Sequence, residues 1–103
     1  MMKVCKQMQQ LRQLLNKKNI PWEDGSEDMT RDKDWPMWIC RTWFEYKEVK
    51  WSVINGVGTY GGWFGANPGN SEKENLGLLE LWDHKSDPKG WLTAEDVMKE
   101  IEK

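Results

Sequence analysis

Residues 39–62 read ICRTWFEYKEVKWSVINGVGTYGG, and no other stretch narrows the choice of fold as much. The β-branched and aromatic side chains Ile39, Thr42, Trp43, Phe44 and Tyr46 favour a strand over residues 37–46. Side chains alternate across a strand, so Trp38, Cys40, Thr42, Phe44 and Tyr46 share one face. Ile39, Arg41, Trp43 and Glu45 share the other. Both faces carry aromatics, which predicts that a helix covers one side and that part of the other stays available. Lys47-Glu48 is a two-residue turn without the Asn-Gly or glycine of the favoured hairpin types. A second strand then covers residues 49–55, with Val49, Trp51 and Val53 pointing one way and Lys50, Ser52 and Ile54 the other.

A hairpin alone is marginal in water and needs further strands or a helix. The N-terminal segment supplies one helix over residues 2–18: Val4, Met8, Leu11 and Leu15 fall at helical spacing, and Leu14 widens the stripe. Lys17 and Lys18 suit the negative end of the helix dipole, and Asn19 and Pro21 stop it. A third strand is predicted over residues 76–82, with Leu76, Leu78, Glu80 and Trp82 on one face and Leu79 and Leu81 on the other. The last helix begins at Thr93 as N-cap. Asp96 at N3 makes a capping-box relative, and Leu92 and Val97 make a hydrophobic staple. Short edge strands at residues 20–23 and 90–92 are compatible with the pattern. The predicted fold is one α+β domain in the order α-β-β-β-α, a small antiparallel sheet of three to four strands packed by an N-terminal and a C-terminal helix. The chain has 103 residues and eight Trp, with few Leu, Ile and Val, so tryptophan is expected to supply much of the core.

Two segments invite chemical readings. Residues 22–36 contain Asp24, Ser26 and Asp28 at alternating positions, but Gly25 is misplaced for a calcium loop and flanking helices are missing. A solvated acidic loop is the expectation there. Residues 56–75 are rich in Gly and Asn, and residues 56–61 match GxGxxG. Dinucleotide binding needs a helix directly after those glycines. Gly62, Gly65, Pro68 and Gly69 follow instead, which excludes that fingerprint. A loop of this length is still a natural place for function. Tyr60 and Trp63 could stack on rings, Asn55, Thr59 and the backbone at Gly58 and Gly61 could hydrogen-bond, and Arg41 could meet a phosphate. The candidate ligand-binding set is therefore Arg41, Asn55, Gly58, Thr59, Tyr60, Gly61 and Trp63. The alternative is a turn-rich loop whose aromatics cover the core.

The net charge of −2 offers double-stranded nucleic acid and acidic membranes no general attraction. One His and two distant cysteines, Cys5 and Cys40, have no zinc spacing, and no catalytic constellation emerges. Neither an apolar leader nor a membrane span is read in the sequence. The expectation is a cytoplasmic, non-catalytic protein without cofactor or metal, with a homodimer compatible with it.

The segments ICRTWFEY, WSVINGVGTYGG, GLLELWD and GWLTAEDVMKEI resemble those of small bacteriophage and mobile-element proteins of Firmicutes-type bacteria. The resemblance covers residues 39–101, and no functional residue is carried over with it. It implies a phage accessory protein acting against host defence. Three functions follow as expectations: sequestration of a nucleotide-like host immune signal, inhibition of a host defence protein through exposed Trp and the acidic loop, or a structural or regulatory role without a ligand.

Overall fold

The predicted hairpin forms the middle of a single antiparallel sheet in a computed structural model that describes residues 6–28, 38–56 and 78–103. The elements in chain order are α1 (Lys6–Lys17), β1 (Trp22–Asp24), β2 (Glu27–Asp28), β3 (Trp38–Tyr46), β4 (Val49–Gly56), β5 (Leu79–Trp82), β6 (Lys89–Leu92) and α2 (Ala94–Ile101). The sheet order is β1-β3-β4-β5-β6, and β2 pairs with β3 on the same edge as β1. Every pairing is antiparallel between neighbours.

This is the α+β arrangement with terminal helices that the sequence predicts, but the sheet has six strands rather than three to four. The additions are the short edges. β1 and β6 fall at the short edge strands compatible with the pattern at residues 20–23 and 90–92, and β2 is an addition within the stretch expected to be a solvated loop. WEDGSED carries no alternation of apolar residues, so local pattern does not mark its strands, which pair with β3, with β1 also held by Trp22 packing at the core margin and by Arg12. Short, charged edge strands also discourage pairing with other chains.

One face of the sheet carries both helices. α1 buries Met8, Leu11 and Leu15, and α2 buries Ala94, Val97, Met98 and Ile101. They meet Cys40, Thr42 and Phe44 of β3, Val53 and Asn55 of β4, and Leu79 and Leu81 of β5. Each large aliphatic side chain buried this way contributes about 1.5–3 kcal/mol. Among the described residues the centre of the core is mostly aliphatic, whereas the composition predicts that tryptophan supplies much of it. Trp22 and Trp51 pack at its margin, and Trp43, Trp82 and Trp91 are exposed. Indoles are large and carry a polar N–H, so a thin two-layer core accommodates aliphatics more readily.

The helix α2 starts as the sequence predicts: the Asp96 amide donates to Thr93 Oγ1 and the Thr93 amide donates to Asp96 Oδ2, both at 3.1 Å. Lys47 and Glu48 close the β3–β4 hairpin with φ of 53° and 65°. A two-residue loop with both central residues in this region is the primed type that matches strand twist, here made without glycine.

Candidate functional site

Among the described residues, no element covers the sheet face turned away from the helices. Across it, Glu23, Trp43, Ser52 and Trp82 stand opposite one another on β1, β3, β4 and β5. Trp43 and Trp82 are 41% and 40% exposed, and they flank the small Ser52. Trp91, 58% exposed, lies on β6 where the pairing is irregular and its own φ is 60°.

Both indoles on this row are held in place. Trp43 rests on Gly25: a Cβ built there would lie 2.9 Å from three of the indole ring atoms. The Gly25 amide donates to the Arg41 carbonyl at 2.9 Å, and the Arg41 amide donates to Ser26 Oγ at 3.0 Å, so the break between β1 and β2 is itself hydrogen-bonded. The Arg41 guanidinium lies 5.6 Å from the Trp43 ring centroid and 3.7 Å from Glu27 Oε1. Trp82 Nε1 donates to the Ser86 carbonyl at 2.8 Å, and its ring packs on His84 with centroids 4.4 Å apart. The turn that presents His84 is closed by Asp83, whose carboxylate accepts from the amides of Lys85 and Ser86. The Ser86 amide, followed by that of Lys85, lowers the Asp83 pKa to about 2.

β1 is anchored from the opposite side. Arg12 of α1 donates to Thr42 Oγ1 at 2.9 Å, and to Asp24 Oδ1 and the Arg41 carbonyl at 3.1 Å each. Its guanidinium also lies 4.7 Å from the Trp22 ring, whose Nε1 donates to Asn16 Oδ1. Hydrogen bonds from Ser26, with the charge of Arg12, hold the Asp24 carboxyl below its ordinary value. Because Trp22 and Asp24 point to the helices, Glu23 between them points to the open face.

A cleft of about 720 Å³ follows, lined by Pro21, Trp22, Glu23, Trp43, Phe44, Glu45, Lys50, Trp51 and His84. Glu23, Glu45, Lys50 and His84 are exposed in it. Glu45 and Lys50 are register partners on β3 and β4, yet neither they nor Glu23 form an ion pair among the described residues. Among the described residues no group of three or more His, Cys, Asp or Glu is placed to hold a metal ion. The cleft thus combines aromatic surface with separate charges at its edge.

Of the residues expected to bind a ligand, Arg41 lies on the open face with its guanidinium engaged by Glu27. Asn55 is fully buried on the helix face, where its Nδ2 donates to the Leu78 carbonyl at 2.7 Å. The two therefore stand on opposite sides of the sheet. Gly58, Thr59, Tyr60, Gly61 and Trp63 lie outside the described residues. Trp43, Glu45 and Lys50 could have been selected from strand alternation, which places them on one face of the hairpin. Glu23, Trp82 and His84 could not, since their places depend on β1 and β5 finding β3 and β4.

Fold and site together define a small α+β domain whose antiparallel sheet is covered on one face and aromatic on the other. Comparison with protein-family models, curated proteins and solved structures finds no match to this chain. No described helix is long and apolar enough to cross a membrane.

Proposed function

We propose that the chain is a non-catalytic binding protein that docks on a partner protein through the open face of its sheet. The observation that carries this reading is the row holding Trp43 and Trp82, two indoles in register, each fixed by neighbours and each about two-fifths exposed. Tryptophan is among the residues that dominate binding energy at interfaces, and an aromatic that is already immobilised loses little entropy on docking. The resemblance to phage accessory proteins supports a host defence protein as the partner. Glu23, Glu27 and Glu45 lie on the same side and supply acidic steering, the first two from the stretch expected to be an acidic loop.

A second reading, sequestration of a nucleotide-like signal, draws on the size of the cleft, which falls in the range of small-molecule sites. Lys50 and the rings of Trp43 and His84 favour it, whereas Glu23 and Glu45 work against a phosphate. The test is affinity purification from the cells that carry the protein, followed by reconstitution with the purified partner. The expected result is a stoichiometric protein partner retained by Gln10→Ala on the exposed side of α1 and lost by Trp43→Ala/Trp82→Ala, with the double variant still folded by circular dichroism and NMR. A partner retained by the double variant would refute the docking face. A bound nucleotide in native mass spectrometry, with no protein partner, would favour the second reading.

A further inference from the structure

We infer that the cleft beside Trp43 receives a positively charged side chain of the partner, an arginine or a lysine, laid against the exposed side of the indole between Glu23 and Glu45. This rests on the docking reading above and specifies its chemistry. Glu23 is the register partner of Trp43 across β1 and β3. Glu45 lies two residues further along β3, on the same face. Side chains directly opposite in a sheet, or two apart on one strand, are neighbours on its surface, so both glutamates neighbour Trp43, one across the strands and one along β3.

The charges nearby separate into those that are answered and those that are not. Asp24 is paired with Arg12, and Glu27 with Arg41. Glu23 and Glu45 have no ion pair among the described residues. The Trp43 ring sits on Gly25 and is 41% exposed, so part of its electron-rich π surface is open to a cation. Arg41 also approaches this ring, but Glu27 offsets its charge. Guanidinium and ammonium groups stack on indole faces and bond to carboxylates, so one such side chain satisfies all three groups together.

Lys50 decides between this occupant and an anion. It stands opposite Glu45 in the same cleft and brings an ammonium group to it. For a cationic guest Lys50 is a competitor, so removing it strengthens binding. For a phosphate it is the main attraction, so removing it weakens binding.

The experiment follows the indole N–H resonances of the full chain in two-dimensional NMR during titration with acetyl-Gly-Arg-Gly-amide, acetyl-Gly-Glu-Gly-amide and AMP. The Trp43 signal is expected to move with the arginine peptide and to saturate in the millimolar range. Glu23→Gln/Glu45→Gln should weaken that binding by at least about threefold, the scale of two screened, exposed charge contacts. Lys50→Met should tighten it by about twofold. The inference is overturned if the arginine peptide leaves Trp43 unmoved, if the acidic peptide or AMP binds as well, or if Lys50→Met weakens binding. Partner binding that is lost in Trp43→Ala/Trp82→Ala but unaffected by Glu23→Gln/Glu45→Gln overturns this inference alone. Partner binding that survives both variants overturns the docking reading with it.

Discussion

Replacing Gly25 with alanine would place a methyl group in the seat of the Trp43 indole. The added Cβ would stand 2.9 Å from three ring atoms, where about 3.5–4.0 Å is the comfortable carbon–carbon separation. The backbone at Gly25 does not use the left-handed region, so the cost is steric. Overpacking of this kind costs about 1–3 kcal/mol. Alanine also restricts the unfolded chain, which returns about 0.4–1 kcal/mol. The net expectation is a destabilisation of about 1–2 kcal/mol, and each 1 kcal/mol lowers the melting temperature of a domain this size by about 4–8 °C. The assay is urea unfolding at constant m value, repeated in a Trp43→Ala background. There the ring is gone and Gly25→Ala should be neutral or stabilising, which gives a coupling energy of about 1–3 kcal/mol between the two sites. Gly25→Ala that matches the wild type in stability, with the Trp43 resonance unshifted, would refute the claim that Gly25 seats the indole. Arginine-peptide binding measured on the same variant connects the seat to the site, since a displaced indole should bind less well.

Two further perturbations test the frame around the site. Glu48 holds φ of 65° in the hairpin turn, a conformation that glycine adopts without strain, so Glu48→Gly should raise stability by about 0.5–1 kcal/mol in thermal or urea unfolding. A loss of stability would show that the turn is not strained. Acid should unfold the protein through carboxylates whose folded pKa is depressed: Asp83 to about 2 by the amides of Ser86 and Lys85, Asp96 by the Thr93 amide, Glu100 by Lys89 and Lys103, and Asp24 by Ser26. A depressed pKa stabilises the fold above the unfolded value near 4, and that contribution disappears as pH falls towards 2. Lys18 works in the opposite sense: Glu102 raises its pKa, so its contribution is complete below its ordinary value of 10.5 and is lost at more alkaline pH. Melting temperature should therefore be flat from about pH 5 to 10 and fall below about pH 4. Asp83→Asn should flatten the acid limb, and an unchanged limb would remove Asp83 from this account.

Local patterns in the chain already determine much of this protein. The stripe of Met8, Leu11 and Leu15, the alternation through residues 39–55 and the reciprocal Thr93–Asp96 cap each involve neighbours a few residues apart. Short-range geometry suffices to specify such features, and the helices, the hairpin and the α+β class follow from them. Alternation also shows that Arg41, Trp43 and Glu45 share a face, but it cannot say which face the helices cover. That depends on where the stripes of α1 and α2 find enough apolar area, and they find it over Cys40, Phe44, Val53, Leu79 and Leu81. Asn55 illustrates the limit: beside a glycine-rich stretch it reads as a ligand contact, yet the sheet turns it inward to the Leu78 carbonyl.

The cleft belongs wholly to tertiary structure. WEDGSED has no periodicity that would make it a strand; hydrogen bonds to β3, Arg12 tying Asp24 and Thr42 together, and Trp22 packing on the core bring Glu23 beside Trp43. Trp82 and His84 join the same face because β5 pairs with β4 in one particular register. The sequence alone thus determines the elements and the sidedness of each strand, because those depend on backbone geometry repeated every two or four residues. Which indoles are buried, which are seated on the open face and which charges lie beside them is decided by pairing between distant segments. That pairing is settled by burial and hydrogen bonding across the whole sheet, on which local sequence carries no information.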